Sequence, residues 1–168
     1  LGSLQSNFSG THASSRLAQY DQMSTTQKEA ALGQNLVNFI RGDQSKEGFT
    51  KDQNGRLYRT RESRLGDIIG SQPLYVGAPP HKYRDAGHSA FRLAQRGRTP
   101  MVYVGGNDGM LHGFSAQDGT EKIAYVPQGV IPSLTRLTAP AYDQQHRYFV
   151  DGSPMTGDAN TRDRKSVV

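Results

Sequence analysis

The sequence predicts a mainly β, turn-dense fold entered through one amphipathic helix, and three observations predict it. Glycine is the compositional outlier, 19 of 168 residues, and it falls in turn clusters such as Gly105-Gly106-Asn107-Asp108-Gly109 rather than at a period of three. Between Pro100 and Pro127 three short apolar runs are separated by two glycine turns, which is the pattern of an antiparallel meander. One stretch, near Thr25 to Arg41, carries its apolar residues at helical spacing.

In chain order, Leu1 to Gln22 is rich in Ser, Gln and Gly with scattered Leu4, Phe8 and Leu17, and it reads as an entry segment without firm order. At Ser24 the pattern changes. Ser24 and Gln27 form a capping box, Leu32, Leu36, Phe39 and Ile40 share one helical face, and Gly42 supplies a left-handed stop. Asp52-Gln53-Asn54-Gly55 is then a turn flanked by Phe49 and Leu57-Tyr58, and Pro73 to Gly77 is a short strand. Ala78 to Arg98 is a polar insertion with a short helix near Ala90 to Ala94.

The meander follows. Met101 to Val104 is a strand, Gly106-Asn107-Asp108-Gly109 a tight hairpin turn, Met110 to Ala116 a second strand, Gln117 to Thr120 a second turn, and Lys122 to Val126 a third strand. Tyr148-Phe149-Val150 reads as a later strand. Gly70-Ser71-Gln72-Pro73 is echoed by Asp151-Gly152-Ser153-Pro154, a loose sign of repeated β units. Arg164 to Val168 reads as a strand just beginning. Residues 23–168 are therefore expected to be the N-terminal part of one β domain, cut at its C-terminal end.

Composition excludes several classes of function. There is no cysteine, so disulfides, thiolate metal sites and a cysteine nucleophile are ruled out. No apolar run reaches the ~18 residues of a membrane helix, so no integral membrane segment is expected. Of the 20 basic residues 14 are arginine, clustered at Arg56, Arg59, Arg61 and Arg64 and again at Arg92, Arg96 and Arg98. The clusters lack the interleaved aromatics that single-strand binders use to stack bases, and nucleic acid is not an expected partner. The histidines show no metal-ligand spacing, and Gly-x-Ser-x-Gly is absent.

The run Met101 to Phe114, a strand, an Asp-Gly turn and a strand, resembles a blade of the quinoprotein-like β-propellers. More specifically it resembles the C-terminal propeller domain of the PilY/PilC family of type IV pilus biogenesis factors and tip-located adhesins. Four further segments match that family in order: Ile40-Arg41-Gly42-Asp43; Arg64-Leu65-Gly66-Asp67-Ile68-Ile69 with Ser71 and Pro73; Ala124-Tyr125-Val126-Pro127; and Tyr148 to Pro154 with Asp158. The resemblance implies a non-enzymatic factor exported to the cell surface, outer membrane or pilus tip of a Gram-negative bacterium. It implies minor pilins, the tip complex and host or abiotic surfaces as partners, with roles in assembly against retraction, attachment and twitching motility. It also implies a calcium loop, but no stretch here fits Asp-x-Asp/Asn-x-Asp/Asn-Gly with a later acid, so no metal residue is assigned and calcium is expected in the remainder of the domain.

Two candidate sites stand out. Arg41-Gly42-Asp43 is the tripeptide that integrin-type receptors read on an exposed loop, but the favoured reading is the end of a helix with Gly42 as its stop. Gly106-Asn107-Asp108-Gly109 is expected to be a structural hairpin turn, with ligand binding at a propeller mouth as the other reading. Asp67 and Asp151, each near a Ser-Pro element, are expected to cap strand ends. No catalytic residue is assigned. The rival function is a quinone-dependent oxidoreductase propeller, disfavoured because the chain has no tryptophan to dock blades or cover a cofactor.

Overall fold

The computed structural model describes residues 6–158. Residues 1–5, and the strand expected at Arg164 to Val168, lie outside the described residues. Residues 6–22 are a folded part of the molecule rather than a loose entry segment: a 3₁₀ turn at Ser6–Phe8, helix α1 at Gly10–Ser14 and a second 3₁₀ turn at Tyr20–Gln22. Ala13 and Leu17 join the core, and the buried Gln19 donates through Nε2 to the carbonyls of Leu57 at 2.9 Å and Thr138 at 3.2 Å. The chain changes direction between these short turns, so its apolar residues follow no single period.

The helix expected over Thr25 to Arg41 is two helices, α2 at Thr25–Ala30 and α3 at Gln34–Ile40. Gly33 breaks it, at φ +65°, where a residue with a Cβ is disfavoured. The outer ends follow the expected chemistry. Gln27 N–H donates to Ser24 Oγ at 3.2 Å while Ser24 N–H donates to Gln27 Oε1 at 3.0 Å, closing the capping box. Gln27 is fully buried, and its Nε2 sits 2.8, 3.0 and 3.0 Å from the carbonyls of Thr50, Gln53 and Arg56. The same side chain thus caps α2 and grips the Asp52–Gly55 turn.

One four-stranded antiparallel sheet is formed by β1 (Leu74–Val76), β2 (Met101–Gly105), β3 (Leu111–Ser115) and β4 (Glu121–Tyr125), in that spatial order. Consecutive strands pair, as in a meander: Val76 faces Met101, Gly105 faces Leu111, and Leu111 faces Tyr125. The hairpin after β2 closes with Gly106 N–H on Met110 O at 2.9 Å, leaving Asn107, Asp108 and Gly109 as its loop, with Gly109 at φ +92°. The insertion between β1 and β2 carries helix α4 at His88–Ala94.

Tyr148 to Val150 is not a strand. The Phe149 amide donates to the Asn107 side chain at 3.1 Å instead of to a neighbouring backbone, so no ladder forms. The hydrophobic core lies outside the sheet. Leu36, Phe39 and Ile40 of α3 pack with Leu57, Tyr58, Tyr142 and with Leu134 and Leu137 of a 3₁₀ segment, Gln128–Thr138; Met110 brings the hairpin to them. Tyr58 donates to the Ala31 carbonyl at 3.1 Å, and burial pushes its phenol far above the usual range. β4 is exposed along its length.

Candidate functional site

Three motif segments that are distant in sequence converge on the hairpin turn. Asp108, buried, accepts the Gly66 N–H at 2.8 Å and the Met110 N–H at 3.2 Å. Its neighbour Asn107 donates through Nδ2 to Asp67 at 2.8 Å and through its backbone N–H to the Asp67 carbonyl at 3.0 Å, while its Oδ1 takes the Phe149 amide. Gly66 approaches so closely that a Cβ there would collide with the Asp108 backbone nitrogen. The turn is a clasp for residues 65–67 and 149 as well as a hairpin.

The two Ser-Pro elements also meet. Gly70 N–H donates to Asp151 Oδ1 at 2.8 Å, Gln72 N–H to Ser153 Oγ at 3.0 Å, and the buried Ser71 Oγ accepts the Gly105 N–H at 2.8 Å. The sequence echo is therefore a contact between two segments. Asp151 accepts a backbone N–H as expected of a capping residue. Asp67 instead uses its carboxylate on side chains, Asn107 and His146, the latter at 2.9 Å.

His112 on β3 was not singled out by sequence, although it stands four residues after Asp108. It is buried, with Nε2 3.0 Å from Asp108 Oδ2 and Nδ1 2.6 Å from Glu121 Oε1. Both ring nitrogens face carboxylate oxygens, an arrangement that an imidazolium satisfies by donating twice. Burial works against charge on His112, but hydrogen bonds to Asp108 and Glu121 outweigh it and raise the imidazole above its ordinary value. Burial likewise pushes the Asp67 carboxyl up, and hydrogen bonds from Asn107 and His146 outweigh it and hold the group below its usual value.

Asp67, Asn107 and Asp108 border a cleft of about 420 Å³ whose wall also includes Arg59, Arg61, Tyr142 and His146. Several of its charges have partners. Arg61 donates from Nε to Glu47 at 2.6 Å and from Nη1 to the Phe39 carbonyl at 2.8 Å, with its guanidinium 3.8 Å from the Phe39 ring centre. Arg59 donates to the Leu137 carbonyl at 2.7 Å, pairs with Asp143 at 3.6 Å and lies over Tyr142. The densest arginine cluster in the sequence is thus partly built into the fold. Among the described residues no hydroxyl is hydrogen-bonded to His146, and no three His, Asp or Glu side chains are grouped to hold a metal ion.

Arg41-Gly42-Asp43 forms the end of α3. Gly42 N–H donates to Phe39 O at 3.0 Å and Asp43 N–H to Asn38 O at 2.9 Å, the paired bonds of a Schellman stop, with Gly42 at φ +100°. Arg41 and Asp43 are exposed, and the Asp43 carboxylate accepts the Ser45 N–H at 2.8 Å, which lowers it from its usual value.

Comparison with known proteins places these features in a family. Residues 65–167 match the family model described as the PilY1 beta-propeller domain. The chain is 46% identical over 135 residues to "Type IV pilus biogenesis factor PilY1" of Pseudomonas aeruginosa (strain PAK), covering 76% of this chain and 11% of that protein. It is 43% identical over 136 residues to a PilY1 homolog of Xylella fastidiosa (strain Temecula1), covering 77% of this chain and 11% of that protein. The chain thus spans about a ninth of the length of these relatives. No solved structure gives a significant match. The segments that clasp one another, from Gly66 through the hairpin to Ser153, lie inside the matched region, and the chain belongs to the PilY1 β-propeller family.

Proposed function

We propose that the chain is part of the propeller of a type IV pilus biogenesis factor and works there as a non-catalytic binding module. The observation that carries this reading is the 46% identity, across three quarters of the chain, to a protein named as such a factor. The geometry supports it. The polar groups that could carry chemistry, Asp67, Asp108 and His112, are committed to holding loops together, so the segment offers rigid surfaces instead of a reaction centre. The four-stranded meander reads as one blade, with neighbouring blades and a calcium loop elsewhere in the full protein.

In this reading the full protein sits at the cell surface at or near the pilus tip, with minor pilins as partners. It promotes assembly against retraction and supports attachment and twitching. The exposed Arg41 and Asp43 are carried as a receptor contact, tested by Asp43→Glu in the full protein: reduced cell attachment supports the contact, and unchanged attachment removes it. The pilus role is tested by deleting the gene in its native bacterium and measuring sheared surface pilin. Loss of surface pilin, restored by the intact gene, is expected; unchanged surface pilin would overturn the reading.

A further inference from the structure

A second cleft shares Tyr142 with the first. It has a volume of about 390 Å³ and is walled by the loop after α1, the 3₁₀ segment Gln128–Thr138 and the chain around Tyr142. Three arginines, Arg16, Arg136 and Arg147, line it together with Ser133, Gln145 and Tyr142, and no carboxylate is part of its wall. Among the described residues no ion pair uses any of these three arginines. Arg16 is nevertheless held in place, by a hydrogen bond from Nη1 to the Pro132 carbonyl at 2.6 Å. Like charges gathered in a concave wall raise the local positive potential, and no carboxylate in that wall offsets it.

We propose that this cleft binds a carboxylate-bearing segment of a partner protein, an acidic peptide stretch whose Asp or Glu side chains pair with Arg136 and Arg147. The guanidinium fork matches a carboxylate with two parallel hydrogen bonds, the strongest and most directional pairing these side chains make. Ser133 and Gln145 add neutral donors and acceptors suited to a peptide backbone. A nucleic-acid strand fits less well. Strand binders stack bases on exposed rings, and the one aromatic residue in this wall, Tyr142, is buried. The inference rests on the charge and shape of the cleft and is independent of the pilus reading.

Fluorescence anisotropy on the full-length protein tests it, with a labelled hexaglutamate peptide as probe and hexaglutamine as its uncharged counterpart. Hexaglutamate is expected to bind, less tightly as salt is added, and hexaglutamine not to bind. Arg136→Gln with Arg147→Gln is expected to weaken hexaglutamate binding at least about tenfold, the scale of losing charge-assisted hydrogen bonds. Arg84→Gln with Arg96→Gln removes the same charge from exposed positions outside the cleft and is expected to leave binding unchanged. Equal binding of the two peptides, or equal loss in the two double variants, would overturn the proposal. So would displacement of hexaglutamate by inorganic phosphate at lower concentration than by glutarate, which would assign the cleft to phosphate. Should the cleft variant fail to fold, the two peptides and the two competitors on the unsubstituted protein still decide.

Discussion

The two clefts that share Tyr142 differ in what their charges do. In one, Asp67, Asp108, Arg59 and Arg61 each meet a partner, and those partners are loops that must be held together. In the other, Arg16, Arg136 and Arg147 converge with no carboxylate in the wall. Charge density along the sequence therefore misleads. The run from Arg56 to Arg64 looks like a surface patch, yet Arg61 is buried against Glu47, while three arginines scattered along the chain make the unbalanced surface. Paired charges should matter for stability, and unpaired ones for binding.

The contrast breaks most easily at Asp108. Asp108→Ala leaves the Gly66 and Met110 amides without their acceptor and takes one of its two carboxylate partners from the buried His112 ring, and it is expected to cost about 3–5 kcal/mol in urea unfolding. A loss within the ordinary surface range would mean that the hairpin does not clasp its neighbours. Gly66→Ala should come next. Its new Cβ would meet backbone rather than a flexible side-chain end, and a cost of about 2–3 kcal/mol is expected from the forced separation.

A milder effect is expected from pH. The imidazole of His112 is raised in the folded protein, so its contribution is complete below the ordinary histidine value of 6.5 and is lost as pH rises through the raised value. Urea midpoints should fall as pH rises through that raised value, and His112→Gln should flatten the fall. Smallest of all is the effect of Arg136→Gln with Arg147→Gln, expected to leave stability within about 0.5 kcal/mol, since both side chains are exposed and unpaired. A large loss there would place those arginines among the structural charges.

Local rules were legible in the sequence. The capping box at Ser24 and Gln27, the Gly42 stop, the meander and its hairpin all depend on residues a few positions apart, and each formed. What escaped sequence reading was long-range. The break at Gly33 is accompanied by a hydrogen bond from its N–H to the Phe8 carbonyl, and Gln19 proved to be a core residue because its amide serves two distant carbonyls. Tyr148 to Val150 has strand composition, but its amide is captured by the Asn107 side chain. At the site, the turn residues were visible by type, whereas the partners of Asp108 and His112 depend on a tertiary approach that no local pattern encodes. The Asp108-x-x-x-His112 spacing was the one available signal, and on a hairpin it carries none of the meaning it has on a helix.

The most direct test of the clasp is a double-mutant cycle in urea unfolding at neutral pH, combining Asp67→Ala with Asn107→Ala, the side chains bonded across it at 2.8 Å. Side chains bonded to each other inside one network should couple, and an interaction energy of about 1–3 kcal/mol is expected. Additivity within about 0.5 kcal/mol would show that the two act independently and would contradict the clasp.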